Sequence, residues 1–182
     1  GLSTAGGAYQ PGMSDYVIGV KKNGMAALAG PALLKAATGE IAKNEELGGS
    51  EMHSRVTGLV EYLADDDAHA IEIVRDLINK IDWNSKILKR ESIKFQEPIY
   101  DCGEIIGVVP IDYKVPYDVR ELIARIVDGS DFMDFKPQYG VSTVCVHTKI
   151  NGFACGIIGN NGPIDPNGAT KSARFIELCD QS

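Results

Sequence analysis

The sequence predicts an α/β fold, because short apolar segments alternate along the chain with segments of helical periodicity. The clearest helix lies in DDDAHAIEIVRDLINKI, where three acidic residues open the segment and suit the helix dipole. Its apolar residues recur at helical spacing, at Ala70, Ile73, Leu77 and Ile81. The clearest strands flank Asn151-Gly152, a strong two-residue hairpin turn. Together these observations predict helices packed on short strands.

The remaining elements follow from the same patterns and from glycine and proline signals. Pro31 suits the first turn of a helix, and Gly129 suits the end of one. In chain order, the sequence predicts strands over 15–20 and 25–30, a helix over 31–37, a loop over 37–56 with one turn at 45–47, an irregular segment over 82–116, a helix over 117–129, a loop or short turn over 132–140, the hairpin over 141–160 and a last helix over 169–180.

Two helices receive a predicted inward face from their apolar periodicity. In the helix over 117–129, this face comprises Val119, Leu122, Ile123 and Ile126. In the last helix, it comprises Ala169, Ala173, Ile176 and Cys179.

The hairpin turn also predicts whether Cys145 and Cys155 form a disulfide. It pairs Ile150 with Phe153, and therefore Cys155 with Thr148 and Cys145 with Ile158. Positions 145 and 148 then face opposite sides of the sheet, so Cys145 and Cys155 do not form a disulfide. We expect all four cysteines to be free thiols in a reducing compartment.

Composition excludes several classes of function. The net charge of −7 and the isoelectric point near 4.9 argue against nucleic-acid binding, which needs clustered lysine and arginine. No apolar run is long enough to span a membrane. With three histidines, four cysteines and no CxxC pair, a zinc site is not expected, and no metal is assigned to this chain.

Chemistry is most plausible at two glycine-rich turns, TAGGAYQPGMSD and GIIGNNGPI. Backbone N–H groups of small residues at a helix start are free donors that can bind a developing oxyanion. Glycine also lets an acyl carbonyl approach the backbone closely. From the residues alone, an ordinary tight turn is the simpler interpretation of either stretch, because glycine and asparagine favour turns for local reasons. The histidines His53 and His69 have no evident catalytic partner and are read as satisfied loop or surface residues.

Five stretches of the sequence resemble one family in the expected order. They are TAGGAYQPGMSDYVIGV, GPALLKAATGE, EELGGSEMH, YDVRELIARIVDGSDFMDFKPQYG and GIIGNNGPIDPNGATKSARFIELCDQ. The family is the carboxyltransferase (β) subunit of biotin-dependent acyl-CoA carboxylases, with the methylcrotonoyl-CoA and geranyl-CoA enzymes most similar. The resemblance implies a crotonase-like ββα superhelix in two tandem domains, one for acyl-CoA and one for carboxybiotin.

The resemblance also implies site residues. The backbone N–H groups of Gly6 and Gly7 would form the oxyanion hole that stabilises an acyl-CoA enolate. The resemblance and the small side chains of MAALAG imply acyl-CoA binding by Ala5, Ala8, Ala26, Ala27, Arg120, Arg125, Gly129, Ser130, Phe132 and Phe135. The turn on the biotin side would comprise Gly159, Asn160, Asn161 and Gly162.

The implied function is transfer of a carboxyl group from carboxybiotin, carried by a partner subunit, to the enolate of an acyl-CoA. The implied partners are acyl-CoA, a biotin carboxylase and biotin carrier α subunit, and further β subunits, with no nucleic acid or membrane. Two other functions stay open: a biotin-dependent acyl-CoA decarboxylase subunit, or a non-catalytic piece that mediates subunit assembly. The expected location is the cytoplasm of a bacterium or the mitochondrial matrix of a eukaryote.

The resemblance places domain boundaries in the irregular segment. Residues 1–82 would be the end of the acyl-CoA domain, 83–116 a linker and 117–182 the start of the carboxybiotin domain. The chain reads as a piece of a longer subunit and is expected to be inactive alone.

Overall fold

The computed structural model describes residues 1–81, 94–112 and 114–182. The chain divides into two compact units, Gly1–Arg75 and Asp76–Ser182. Of the predicted linker, the described residues contain a 3-10 turn at Cys102–Glu104 and a short helix, α6, at Ile105–Val108. Residues 82–93 and 113 of the predicted irregular segment lie outside the described residues. The predicted domain boundaries stay predictions.

The first unit is built on two pairs of short parallel strands. β1 (Leu2–Thr4) pairs with β3 (Met25–Ala27), and β2 (Ile18–Val20) pairs with β4 (Tyr62–Ala64). The helices of this part are α1 (Tyr9–Gly12), α2 (Pro31–Thr38), α3 (Asn44–Gly48) and α4 (Ser50–Met52), joined by a 3-10 turn at Ala5–Ala8 and a π-helical turn at His53–Thr57. α5 (Asp67–Lys80) has residues in both units.

Two helix predictions for this region are confirmed. α2 begins at Pro31 and is capped by Gly39, whose φ of 80° is left-handed and whose N–H donates to the Lys35 carbonyl. α5 has the predicted face, since Leu77 and Ile81 are buried while the outward Ile71 is 54% exposed. The start signal at Pro31 located α2, and acidic start residues together with helical periodicity located α5.

The prediction of a loop over 37–56 with one turn is wrong, because α3, α4 and the start of the π-helical turn occupy its second half. Gly48 and Gly49 hid this helical structure by interrupting the apolar periodicity. A side chain at Gly48 would start 2.3 Å from the Ala26 carbonyl oxygen, and one at Gly49 would start 2.7 Å from the Glu45 carbonyl oxygen. The glycines therefore permit close packing around short helices.

The second unit contains a three-stranded antiparallel sheet in the order β5 (Phe132–Asp134), β6 (Thr143–Ile150) and β7 (Phe153–Asn160). The hairpin register is confirmed, with Ile150 opposite Phe153 and Cys145 opposite Ile158. All four cysteines are free, as predicted. The prediction that 132–140 is a loop or turn is wrong at its start, because β5 occupies residues 132–134 and pairs with β6. Three residues are too few to show the alternation of a strand in the sequence.

Both faces of β6 are covered. Val144 and Val146 pack in one cluster with buried residues of α7 (Val119–Ile123) and the turn after it. On the other face, the ring centroid of His147 lies 4.7 Å from that of Phe175 on α8 (Pro166–Gln181). The core of this unit is therefore a central strand between two helices.

The predicted helix over 117–129 is correct in place but too long, and its inward face is wrong at one residue. α7 ends at Ile123, and shortly after it the N–H groups of Arg125 and Ile126 donate to carbonyls three residues back. This tighter winding changes the direction of the side chains. Ile126 is 43% exposed, and Val127 is fully buried in its place.

The inward face predicted for the last helix is wrong. Ala169, Ala173 and Ile176 are exposed and Cys179 is half-buried. The buried row is Gly168, Lys171, Phe175 and Leu178. The cause is Lys171, whose Nζ donates to the carbonyls of Thr143 at 2.7 Å, Tyr139 at 3.1 Å and Gly140 at 3.5 Å. A lysine in the core row hides the apolar periodicity that would identify this face.

Replacing Gly140 with alanine is expected to lower the free energy of unfolding by about 2 kcal/mol. Gly140 has a φ of +54°, and a Cβ there would lie 2.8 Å from the Gly168 nitrogen, which is backbone and cannot rotate away. The matched control is Gly39→Ala, since Gly39 has a φ of +80° but a Cβ there would meet no described atom within 4 Å, so the change should cost only about 1 kcal/mol. Urea unfolding of both variants measures the difference, and equal losses would contradict the packing argument.

Candidate functional site

The glycine pair of TAGGAY lies where the first strand turns into helix. β1 ends at Thr4, and the 3-10 turn Ala5–Ala8 follows at once. Ala5 has a φ of +49°, in the left-handed region, and its N–H donates to the Leu28 carbonyl at 3.1 Å. Gly6 and Gly7 occupy the exposed turn that follows, flanked by Ala5 and the half-buried Ala8.

No packing requirement among the described residues explains why Gly6 and Gly7 are glycine. A Cβ at either position would meet no described atom within 4 Å, and neither residue has a left-handed φ. Gly24 differs, because a Cβ there would lie 2.1 Å from the Ser50 hydroxyl oxygen. The space beside Gly6 and Gly7 is therefore open to a group from outside the described chain.

The two alanines predicted to contact the acyl chain have different surroundings. Ala26 helps to line a cavity of about 150 Å³ together with Ser3, Pro11 and His53. The methyl group of Ala27 lies 3.0 Å from where a Cβ on Gly48 would be, so it faces α3. Of the two, Ala26 borders open space and Ala27 packs inside the chain.

His53 is a residue whose role the sequence did not identify. The expectation that its ring is satisfied is confirmed, because Nε2 lies 2.7 Å from the Ala26 carbonyl oxygen and Nδ1 lies 2.7 Å from the Thr57 hydroxyl. Nothing in the sequence placed this histidine beside β3, since its partner is 27 residues away. The short His-x₃-Thr spacing was the available signal for one of its two contacts.

Arg120, a predicted acyl-CoA contact, is held by two carboxylates. Its Nε lies 3.0 Å from an Asp134 oxygen, and its Nη1 lies 3.2 Å from Asp118. Burial opposes the guanidinium charge, but hydrogen bonds from Arg120 to Asp134 and Asp118 hold the pKa of Arg120 above its ordinary value. Arg120 thus ties α7 to β5, and the sequence did not identify either carboxylate partner.

Arg125 is also engaged by acidic side chains. It lies 3.0 Å from Glu121 and 2.9 Å from Glu104, and its guanidinium carbon is 5.3 Å from the centroid of the Tyr100 ring. The hydrogen bond to Glu121, followed by that to Glu104, raises the pKa of Arg125. Both predicted arginines therefore already have anionic partners within the second unit.

The other four predicted acyl-CoA contacts also serve the packing of this unit. Gly129 has a φ of +59° and donates its N–H to the Gln96 carbonyl at 3.1 Å. The Ser130 hydroxyl donates to the Ala124 carbonyl at 2.6 Å. Phe132 packs on the cluster around β6, and Phe135 is fully buried. A binding role for these residues stays a prediction.

The predicted turn on the biotin side continues from the end of β7. A Cβ on Gly159 would lie 2.8 Å from a Val119 methyl carbon, so glycine permits contact with α7. The Asn161 side chain accepts from the Val119 N–H at 2.8 Å and donates to Asp118 at 3.0 Å. Asn160 is exposed and Gly162 is half-buried. Gly159 and Asn161 thus fix the turn, and any contact with biotin is left to a proposal.

The structure places predicted residues in two groups, each described within its own unit. Gly6, Gly7, Ala26 and Ala27 come together through β1 and β3 in the first unit. Arg120 and the biotin-side turn meet around the N-terminus of α7 in the second unit, whereas Arg125 lies after the last residue of that helix. Within residues 1–81, 94–112 and 114–182, no group of three or more His, Cys, Asp or Glu is placed to hold a metal ion.

A search of the described helices for membrane spans found none with the required length and apolar character.

The chain is similar to known carboxyltransferases along its whole length. It is 45% identical to the mitochondrial methylcrotonoyl-CoA carboxylase beta chain of Arabidopsis thaliana and 46% identical to the biotin-dependent 3-methylcrotonyl-coenzyme A carboxylase beta1 subunit of Mycobacterium tuberculosis. Each alignment covers 100% of this chain, but 32% and 34% of those relatives. The chain therefore spans about a third of the length of these curated relatives.

A solved structure gives the same result for the fold. The transcarboxylase 12S hexamer with hydrolysed methylmalonyl-coenzyme A bound is 34% identical, with a TM-score of 0.86 over 99% of this chain and 36% of that one. The predicted crotonase-like α/β fold is therefore confirmed. The carboxyl transferase domain family matches residues 1–182. The chain thus belongs to the carboxyl transferase domain family.

Proposed function

We propose that this chain is part of the carboxyltransferase β subunit of a biotin-dependent acyl-CoA carboxylase. The observation that carries the proposal is the glycine turn, where Gly6 and Gly7 have open space that no neighbouring side chain uses. Backbone amides in an open turn of this kind can bind the oxygen of an acyl thioester. The relatives named for methylcrotonoyl-CoA support a branched acyl-CoA as substrate.

The proposed reaction replaces a C–H bond of the acyl-CoA with a C–C bond, at the α-carbon of a saturated acyl chain or at the γ-carbon of an α,β-unsaturated one such as 3-methylcrotonyl-CoA, whose loss of a γ-proton gives a conjugated enolate. The N–C bond of carboxybiotin would break first and release CO₂, which frees the ureido group to accept a proton from the acyl-CoA. The electron pair of the resulting enolate would then attack the carbon of that CO₂. The proton goes to the ureido group that has lost its carboxyl group. Carboxybiotin, carried by a partner subunit, is the co-substrate that supplies the carboxyl group.

The contribution of this chain is to stabilise the enolate. Negative charge develops on the thioester oxygen as the proton leaves, and backbone N–H groups aimed at that oxygen lower the barrier. Gly6 and Gly7 supply the candidate amides, and their missing side chains allow the thioester to approach. No side chain of the chain is assigned as the base.

The acyl selectivity of the site is proposed to favour chains longer and more branched than propionyl. Ala26 borders the cavity of the first unit, and its small side chain leaves room that acyl methylenes can fill. Each buried methylene contributes about 0.8 kcal/mol, so the preference should be graded. Ala27 makes less contribution, because its methyl group faces Gly48.

The test is a carboxylation assay of the full-length β subunit with its biotin-bearing partner, ATP and labelled bicarbonate. We expect label in 3-methylcrotonyl-CoA or geranyl-CoA, with kcat/KM for propionyl-CoA lower by about 10-fold or more. Transfer that is best with propionyl-CoA would contradict the selectivity. Absence of label in every acyl-CoA would contradict the carboxylase function.

Two other functions give distinct outcomes. A decarboxylase subunit would release CO₂ from a carboxylated acyl-CoA and pass it to biotin without ATP. An assembly module would leave the complex associated but inactive in both directions. The same preparation therefore distinguishes all three.

A further inference from the structure

The side chain of His53 joins the π-helical turn His53–Thr57 to β3. Its Nε2 is 2.7 Å from the Ala26 carbonyl oxygen, which can only accept a hydrogen bond, so Nε2 carries the proton and donates. Its Nδ1 is 2.7 Å from the Thr57 hydroxyl. Both ring nitrogens are therefore engaged within the first unit, and neither is available to remove a substrate proton.

The imidazole N–H of His53 takes the place of the backbone N–H that a neighbouring strand would donate to the Ala26 carbonyl. Along the same edge, the Gly24 carbonyl accepts from the Ser50 N–H at 3.1 Å, and Met25 forms a bridge with Gly49. The next carbonyl on this edge is that of Ala26, and it accepts a hydrogen bond from the imidazole N–H. The segment 49–53 thus closes this edge of β3, and a side chain makes its last hydrogen bond.

The opposite edge of β3 holds the glycine turn. Thr4 is in register with Ala27, and the Ala5 N–H donates to the Leu28 carbonyl at 3.1 Å, immediately before Gly6 and Gly7. β3 has only three residues, so few hydrogen bonds fix its position. A shift of β3 therefore moves the turn that carries the candidate oxyanion donors.

The close contact of α3 limits how β3 can move. A Cβ on Gly48 would lie 2.3 Å from the same Ala26 carbonyl oxygen, so α3 already approaches this peptide as closely as glycine permits. Loss of the imidazole leaves the Ala26 carbonyl without its donor beside that helix. Without that hydrogen bond, the Ala26 peptide is expected to rotate so that its carbonyl oxygen reaches another donor. Because Ala26 and Leu28 are joined by the backbone of β3 and the residue after it, this rotation displaces Leu28.

We propose that His53 is a positioning residue for the glycine turn: it holds the Ala26 peptide of β3, and β3 in turn fixes Ala5 and the amides of Gly6 and Gly7. The role of the turn in catalysis rests on the proposed function. The mechanical link between His53 and Ala5 does not, so the two can be tested separately.

The first test measures amide hydrogen exchange at Ala5 in the full-length subunit. His53→Ala should accelerate exchange at the Ala5 amide by about 10-fold or more, because its hydrogen bond to Leu28 opens more often. His53→Gln should restore most of the protection, since its side-chain amide can donate to Ala26 and accept from Thr57. The matched control is His69→Gln, because the His69 ring accepts from the Asp65 N–H, directly after β4, and so serves a different strand.

The second test measures turnover in the same variants with the biotin-bearing partner. His53→Ala should lower kcat about 10-fold with little change in KM, because misplaced amides weaken transition-state binding more than substrate binding. His53→Gln should recover most of kcat. A kcat of His53→Ala equal to wild type, or a loss that appears only in KM, would overturn the catalytic part of the proposal.

The two readouts separate the possible failures. Unchanged Ala5 exchange in His53→Ala would overturn the link itself, whatever the activity. Accelerated exchange that glutamine does not reduce would show a general loss of packing and would also overturn it. Accelerated exchange that glutamine reverses, in a complex where wild type transfers no carboxyl group, would support the link and contradict the proposed function alone.

Discussion

Replacing Gly7 with alanine is expected to lower kcat for carboxyl transfer by about 10²-fold while leaving the fold intact. The amide remains, but the new methyl group occupies space that the thioester oxygen needs, and loss of one oxyanion donor costs about 10²- to 10³-fold. The structure separates this effect from misfolding, since a Cβ at Gly7 meets no described atom within 4 Å. Alanine is also a better helix former than glycine, so stability should hold or rise.

Gly12→Ala is the matched control for this variant. Gly12 lies in α1, five residues further along, and it too has no described atom within 4 Å of a Cβ. We expect wild-type kcat from Gly12→Ala, with both variants compared by steady-state kinetics and thermal unfolding. A Gly7→Ala protein with normal kcat and a normal melting temperature would remove Gly7 from the oxyanion hole.

Acidification is expected to destabilise the protein through His147 by about 3 kcal/mol between pH 6.5 and 4. The His147 side chain is 4% exposed and lies against Phe135 and Phe175. Burial, with a smaller effect from the charge of Lys80, lowers the pKa of His147 from 6.5 to about 4. The unfolded chain therefore binds a proton in this window and the folded chain does not. The contribution of the neutral His147 side chain to the free energy of unfolding is therefore fully present above pH 6.5, and it is lost as the pH decreases towards 4.

The measurement is urea unfolding of wild type and His147→Leu across this pH range. Carboxylates also titrate here, so the difference between the two proteins isolates the histidine. The stability of His147→Leu should fall less steeply with decreasing pH, by about 3 kcal/mol over the window. Parallel pH curves for the two proteins would show that His147 does not carry this dependence.

The sequence predicted elements well where the local signals agreed. The Asn151-Gly152 turn gave the correct register of eight strand pairs, and Pro31 located the start of α2. Prediction failed where a long-range contact replaced the local pattern. α8 turns a lysine inward because three carbonyls from residues 139–143 surround it. Those acceptors lie about 30 positions away along the chain, so helical periodicity cannot reveal them.

The same limit applies to the candidate site. The strand-to-helix turn at Gly6 and Gly7 was predicted from TAGGAY, because a glycine pair marks a turn or a close approach to the backbone, whereas its oxyanion role was implied only by the family resemblance. The ion pairs of Arg120 and Arg125 were not predicted, since arginines near a binding motif look alike whether free or paired. His53 contacts Ala26 across 27 residues, which no local pattern encodes.

The burial of Lys171 has a consequence for chemical damage by thioesters. Burial lowers the pKa of Lys171, which increases the uncharged fraction of its amine, the form that attacks acyl groups. An exposed amine of that kind would be an efficient target for uncatalysed acylation by the acyl-CoA that the subunit is proposed to bind. Lys171 is only 1% exposed and its Nζ is held by backbone carbonyls, so a thioester cannot reach it while α8 is packed. Acylation at this position therefore requires α8 to separate from the sheet, and its rate would report how often that separation occurs.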